Sequence, residues 1–283
     1  MKEVEALHDP VRWGVLGAGR AGRARAEAIR DLPGGLLVGL WSRREWPDPV
    51  QPMRRARPDV VVIATEDVAH AETIGMALDA GADVLVEYPL VTDPQQAAEL
   101  DALARSLGRG IRVSWLGWQS AIGRAVREAA RVPGPAHWDV RFTGGMAGWV
   151  ADGLKQGRHA THAAGRLRML WDLMSGWRHA ELVVRESREG VRACFRLEGH
   201  RGVTAVLEEI RVADGPRKVA WERDGVAIRP NGAARASAFA ADQAIWLRTW
   251  NEGGWGLGVQ EEEIDFVRAC ATLERDARQV FDA

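Results

Sequence analysis

Tyrosine occurs once, at Tyr88, in a chain of 283 residues that carries 13 tryptophans and five phenylalanines. Lysine is nearly as scarce. Of 38 lysines and arginines together, only Lys2, Lys155 and Lys218 are lysine. With abundant alanine and glycine, that bias reads as the mark of a GC-rich genome rather than of a selected function. The two cysteines, Cys194 and Cys270, are too few for a disulfide framework and lack metal-ligand spacing. They are expected as core residues, and no metal site is expected. No run approaches the roughly 18 apolar residues of a membrane span. Met1-Lys2-Glu3-Val4-Glu5 lacks the apolar stretch of a signal peptide, so a cytoplasmic location is the expectation. A net charge of −1 gives no bulk attraction to nucleic acid or an anionic membrane, which leaves a small molecule as the expected partner.

What is present starts with Val11–Leu16, a short apolar run that reads as a buried strand. It ends in Gly17-x-Gly19-x-x-Gly22, and an Ala/Arg/Glu-rich stretch to Arg30 then reads as a helix. In that context the glycines have separate tasks. Gly17 allows the tight turn, and Gly19 lets the backbone approach a pyrophosphate. Gly22 lets helix pack on strand, with the N-terminal N–H groups of the helix facing the phosphates. Leu36–Trp41 is the next strand. About twenty residues past the glycine turn, the site that selects between nicotinamide cofactors carries Ser42-Arg43-Arg44 instead of a carboxylate. A hydroxyl and two guanidiniums suit a 2′-phosphate, so the expected cofactor is NADPH; the other reading is a pair of solvated surface arginines.

Pro47, Pro49, Pro52 and Pro58 shorten the following crossover to a turn or two of helix near Met53–Ala56. Strand–helix alternation then continues. Strands are read at 59–64, 82–86 and 111–115, and helices at 70–80 (capped by Thr65-Glu66-Asp67) and 95–107. This predicts an α/β fold that opens with a doubly wound parallel sheet, its ligand lying across the carboxyl ends of the strands near Thr65, Glu87, Tyr88 and Trp118. The second half predicts an α+β domain with a mostly antiparallel open sheet. It has helices at 119–131 and 159–174, a glycine-rich loop at 144–157, five short strands between 180 and 228, and closing helices at 236–250 and 260–281. The expected domains are 1–118, which binds NADP, and 119–283, which binds substrate, with the last helix free to pack back on the first.

Tyr88 follows a strand end between Glu87 and Pro89, where a phenol can donate a proton to a group being reduced or fix a substrate. The early glycine motif, Ala64-Thr65-x-x-x-x-His70 and Glu87-x-Pro89 together resemble the glucose–fructose oxidoreductase/inositol dehydrogenase family. Glu-Tyr-Pro, in place of that family's usual Glu-Lys-Pro, is similar to the biliverdin reductase branch. Gly19-Arg20-Ala21-Gly22, Ser42-Arg43-Arg44-Glu45, Thr65-Glu66 and, less strongly, Arg166-Leu167 and Asp242-Gln243 also match that branch. The resemblance implies a Rossmann domain followed by an open α/β domain. It implies NADP contacts from Gly17, Gly19, Arg20, Ala21, Gly22, Ser42, Arg43, Arg44, Thr65, Glu66, His70 and Glu87, and catalysis by Tyr88, Glu87 and Arg166. Dehydrogenases of the family carry Asp-x-x-x-His on the long helix; His162 and Arg166 stand at those positions here.

An arginine stays protonated and cannot act as that base. Loss of both lysine and histidine argues against oxidation of a sugar alcohol, whereas a cation at Arg166 suits a carboxylate or a hydride acceptor gaining negative charge. The substrate contacts expected are His162, Arg166 and Trp118. The implied reaction is NADPH-dependent transfer of hydride to a conjugated C=C–C=N acceptor, biliverdin or a related linear tetrapyrrole. Two alternatives stay open at this point: reduction of another biosynthetic imine, and a non-catalytic NADP(H) sensor. Monomer and homodimer are both compatible with the sequence.

Overall fold

A computed structural model of the protein describes residues 9–42, 44–146, 148–230 and 237–281. Arg43 therefore lies outside the described residues. The chain divides into two compact units, Met1–Ser114 with Ala236–Ile264, and Trp115–Arg235 with Asp265–Ala283.

The first unit contains β1 (Val11–Leu16), α1 (Arg20–Arg30), β2 (Gly35–Trp41), α2 (Val50–Ala56), β3 (Val60–Ile63), α3 (His70–Asp79), β4 (Asp83–Glu87), α4 (Pro94–Ser106) and β5 (Ile111–Ser114). The five strands run parallel in the order β2-β1-β3-β4-β5. All four residues of β3 are buried, which is what helices on both faces of a parallel sheet require. The chain goes one way from β1 to β2 and the other way from β1 to β3, so the crevice of such a sheet opens past Leu16 and Ile63, which are paired in register. The proline-rich crossover holds one seven-residue helix, α2, ended by Arg57 in the left-handed conformation.

The second unit contains α5 (Leu116–Gln119), α6 (Ala121–Ala129), β6 (Ala136–Gly145), α7 (Trp149–Lys155), α8 (His159–Met174), β7 (Trp177–Ser187), β8 (Gly190–Gly199), β9 (Val203–Val212), β10 (Lys218–Arg223) and β11 (Val226–Ile228). Beyond these come α9 (Ala238–Asn251), α10 (Glu261–Arg275) and β12 (Arg278–Phe281). The second sheet has the order β11-β10-β6-β9-β8-β7-β12. It is antiparallel except that β6 pairs with β9, and β7 with β12, in parallel. Burial alternates along β8 and β9, and α8 packs on both.

Four expectations are revised here. The glycine-rich stretch 144–157 contains α7. The final helix stops at Arg275, and β12 extends the sheet by pairing with β7. Residues 236–264, expected in the second domain, cluster with the first unit, because Leu247 and Trp255 complete its core beside Val11, Trp13, Val15 and Ile29. The two cysteines are free thiols at half-buried positions rather than core residues. Among the described residues no helix is long and apolar enough to cross a membrane.

Candidate active site

The strand-to-helix turn after β1 is built on close approach. Gly17 has φ of 113°, a left-handed value that suits glycine, and a Cβ there would stand 2.4 Å from the carbonyl oxygen of Ala64 at the end of β3. At Gly22 a Cβ would stand 1.7 Å from the Gly17 oxygen, so only glycine lets α1 lie this close to the turn. Gly19 differs. Nothing lies within 4 Å of where its Cβ would be, and α1 starts at Gly19 with no side-chain cap. Open space in front of uncapped N–H groups at the positive end of a helix fits a dinucleotide's pyrophosphate. Arg20 is exposed beside it, and Ala21 is half-buried.

Past β2, the Ser42 carbonyl accepts from Trp46 N at 2.8 Å, and its Oγ accepts from Arg44 N at 3.2 Å. That tight turn leaves the Arg44 side chain exposed.

The end of β4 carries a polar cluster. Glu87 Oε1 accepts from Arg25 Nε at 2.6 Å. The same guanidinium donates through Nη1 to Asp242 Oδ2 at 2.6 Å, and through Nη2 to the hydroxyl of Ser114, which itself donates to Asp242 at 2.8 Å. Phe239 lies under the guanidinium, 5.0 Å from ring centroid to Cζ. The Arg25 side chain is fully buried, and that of Glu87 keeps 12% exposure. Burial pushes the Glu87 carboxyl above its ordinary range, against the pull of Arg25. Tyr88 follows, half-buried, with a cis peptide bond to Pro89.

His70, expected against the cofactor, is buried behind this turn. Its Nδ1 lies 2.8 Å from the Pro89 carbonyl and its Nε2 3.3 Å from that of Thr65. Burial lowers its pKa, so the ring is neutral at pH 7, and the shorter contact assigns the proton to Nδ1. It ties the turn carrying Tyr88 to the segment after β3. Thr65, read as a helix cap, shares a hydrogen bond of 3.2 Å with Thr73 instead, and exposed Glu66 makes no side-chain cap. Replacing His70 by alanine leaves the Pro89 carbonyl without its donor. The expected result is a loss of about 1–3 kcal/mol in denaturant unfolding, with nucleotide affinity changed less than twofold.

In the second unit, the Arg166 cation, expected at the substrate, has partners within the protein. Its Nε donates to buried Glu209, and its Nη2 donates to the His162 carbonyl at 2.6 Å. Arg211 reaches the same Glu209 at 3.3 Å. The guanidiniums of Arg166, Arg211 and Arg217 lie 4.2, 4.5 and 5.9 Å from the centroid of Phe142. Glu209 thus answers two of these cations, Arg166 and Arg211. The His162 ring is buried against Gly153 of α7. Trp118 donates its indole N–H to Asp172 at 2.6 Å and lies under Arg127, so its polar atom is engaged within the second unit. Trp115 packs edge-on to Phe266, Trp13 is buried against Trp255, and Trp41 is also buried.

Arg25, Ser114, Glu209 and Arg211 were not singled out from sequence. Arg25 alone had a usable signal. It falls on the stripe of α1 shared by Gly22, Ala26 and Ile29, where a charge has to be paired.

Residues 11–114 match a family model described as an oxidoreductase family with an NAD-binding Rossmann fold. An Escherichia coli (strain K12) oxidoreductase, YdgJ, is 33% identical over 120 residues, which cover 38% of this chain and 35% of that protein. Biliverdin reductase A of Mus musculus is 38% identical over 106 residues, covering 34% of this chain and 36% of that protein. The chain thus matches only about a third of the length of these curated relatives. Among solved structures, the biliverdin reductase of Synechocystis sp. PCC 6803 in complex with biliverdin and NADP+ superposes with a TM-score of 0.75 at 18% identity, over 95% of this chain and 99% of that one. At that identity the likeness speaks for the fold alone. Residues 11–114 are thus similar to the NAD-binding Rossmann domain of that oxidoreductase family.

Proposed function

We propose that the protein is an NADPH-dependent reductase acting on a conjugated C=C–C=N system, with biliverdin or a related linear tetrapyrrole as the favoured substrate. The observation that carries the reading is the turn after β4. It presents a phenol, Tyr88, where oxidation of an alcohol calls for a base, beside a Glu87 held from behind by Arg25. NADPH, when bound, supplies hydride to the electrophilic methine carbon. The open face of Gly19 and the uncapped start of α1 receive the pyrophosphate, and the Ser42 hydroxyl with Arg44 and Arg43 receives the 2′-phosphate. A nitrogen of the acceptor gains one proton as its carbon gains hydride; Tyr88 donates that proton or positions the water that does. Arg166, Arg211 and Arg217, gathered at Phe142 with Glu209 bonded to the first two, supply positive charge suited to the propionate carboxylates of such a substrate. Likeness to a mouse biliverdin reductase in sequence and to a cyanobacterial one in fold supports this choice among reductases.

Incubation with biliverdin and NADPH is expected to bleach the red absorption band while consuming one NADPH per tetrapyrrole. Oxidation of NADPH by another conjugated imine with no bleaching by biliverdin would remove the tetrapyrrole and keep the reductase. Tyr88→Phe is expected to lower kcat at least tenfold, about 1.4 kcal/mol in activation free energy, with the melting temperature unchanged. Equal turnover by this variant would sink the assigned role of the phenol.

A further inference from the structure

Four side chains converge on Arg25 in the interior of the first unit. Glu87 comes from the end of β4, Ser114 from the end of β5, and Asp242 and Gln243 from α9. Glu87 and Ser114 are register partners on neighbouring strands, which is why one guanidinium reaches both. Arg25 is 0% exposed, Ser114 and Gln243 are also 0%, and the Asp242 side chain is 3%. Glu87, at 12%, is the most exposed member, and it sits at the strand end beside Tyr88. The cluster holds two carboxylates against one guanidinium, a ratio that cannot satisfy both acids equally.

We propose that Arg25 and Asp242 form a buried clamp on Glu87: Arg25 fixes the carboxylate at the reacting edge, Asp242 competes for the same guanidinium, and both are positioning residues for Glu87 and Tyr88. Their relevance to turnover rests on the reading of that edge given above; the clamp itself does not. The groups facing Glu87 are Arg25 from α1 and Asp242 from α9, with Ser114 from β5 and Gln243 from α9 neutral. Its neighbours from β3 are apolar. Arg25 therefore favours the ionised Glu87, and Asp242 opposes it. A scaffold role would give both residues the same effect when lost. A clamp gives them opposite effects.

The test uses the full chain, without ligand, carrying 13C-carboxyl glutamate, with the Glu87 resonance assigned by its disappearance in E87Q. Asp242→Asn is expected to lower the Glu87 titration midpoint, and Arg25→Gln to raise it by about one pH unit or more. Arg25→Lys, which keeps the charge and loses the fork, is expected to return the midpoint most of the way. Shifts in the same direction, or no shift in either variant, overturn the clamp. Where Arg25→Gln does not fold, Asp242→Asn decides alone, and a midpoint unchanged or raised overturns it. With NADPH and acceptor, the acid limb of the kcat profile is expected to move with the midpoint while KM stays within about twofold. A protein that titrates in this way but turns over no acceptor keeps the clamp and loses the reductase reading.

Discussion

Arg25→Met is expected to lower the stability of the first unit by about 3–5 kcal/mol, the range for deleting one member of a buried ion pair. The loss arises less from the missing attraction than from what remains. Glu87 and Asp242 would share an interior site with no countercharge, and the Ser114 hydroxyl, which bonds to both Arg25 and Asp242, would keep only the second contact. The pH dependence follows from the sign of the Glu87 shift. Burial already raises its folded-state pKa above the unfolded value, and loss of Arg25 raises it further. For a carboxyl shifted in that direction, stability is full below the unfolded pKa of about 4.5 and is lost as pH rises through the folded value. The deficit of Arg25→Met relative to the parent is therefore expected to be largest at pH 7–8 and to shrink as pH falls toward 4.5. Urea midpoints of both proteins across that range measure it. Arg54→Met is the control, because its pair with Asp79 is 45% and 64% exposed; its loss is expected to change stability by less than about 1 kcal/mol at any of these pH values. Combining Arg25→Met with Glu87→Gln and Asp242→Asn is expected to recover much of the deficit. A deficit equal to that of Arg54→Met would mean that the clamp is solvated.

The parts of this molecule legible in its sequence are those set by local rules. A strand run into Gly17-x-Gly19-x-x-Gly22 specifies its own turn, because a positive φ and two close backbone approaches leave no other residue type. The burial of β3 follows from its unbroken apolar run and that of β4 from Val84-Leu85-Val86, and α8 spans His159–Met174, as its composition predicts. What stayed hidden depends on partners distant in the chain. Arg25 meets Asp242 across 217 positions, and Arg166 meets Glu209 across 43, pairings that no window along the sequence contains. The contacts of His70 were equally hidden: its family position pointed to the cofactor, and its buried ring lies against the Pro89 and Thr65 carbonyls. Strand β12 was read as helix because the pattern of α10 runs into it without a glycine or proline stop. Its pairing with β7 decides the conformation of those four residues, and propensity does not.

Gly22→Ala and Gly19→Ala, three positions apart, are expected to fail in opposite ways. An alanine Cβ at position 22 would lie 1.7 Å from the Gly17 carbonyl oxygen, and that obstacle is backbone rather than the movable end of a side chain. Helix α1 has to lift away from β1 to relieve it. Arg25, the next residue on the same stripe, would then be pulled from Glu87, so the overpacking cost of about 1–3 kcal/mol is joined by that of a strained ion pair. Gly22→Ala is expected to melt well below the parent and to bind nucleotide at least 100-fold more weakly, about 2.8 kcal/mol. At position 19 a Cβ meets nothing within 4 Å, and φ of −72° is ordinary for any residue, so the fold is expected to tolerate the methyl to within about 1 kcal/mol. The same methyl occupies the space assigned to the pyrophosphate, and an affinity loss of at least tenfold is expected. Melting curves with and without NADPH separate the two, since a ligand that binds only the folded chain raises its melting temperature by mass action. Gly19→Ala is expected to match the parent alone and to lose most of the NADPH-induced rise. Should Gly19→Ala keep the full rise, the nucleotide would dock away from the start of α1, and the placement of its reactive ring beside Tyr88 would have no support.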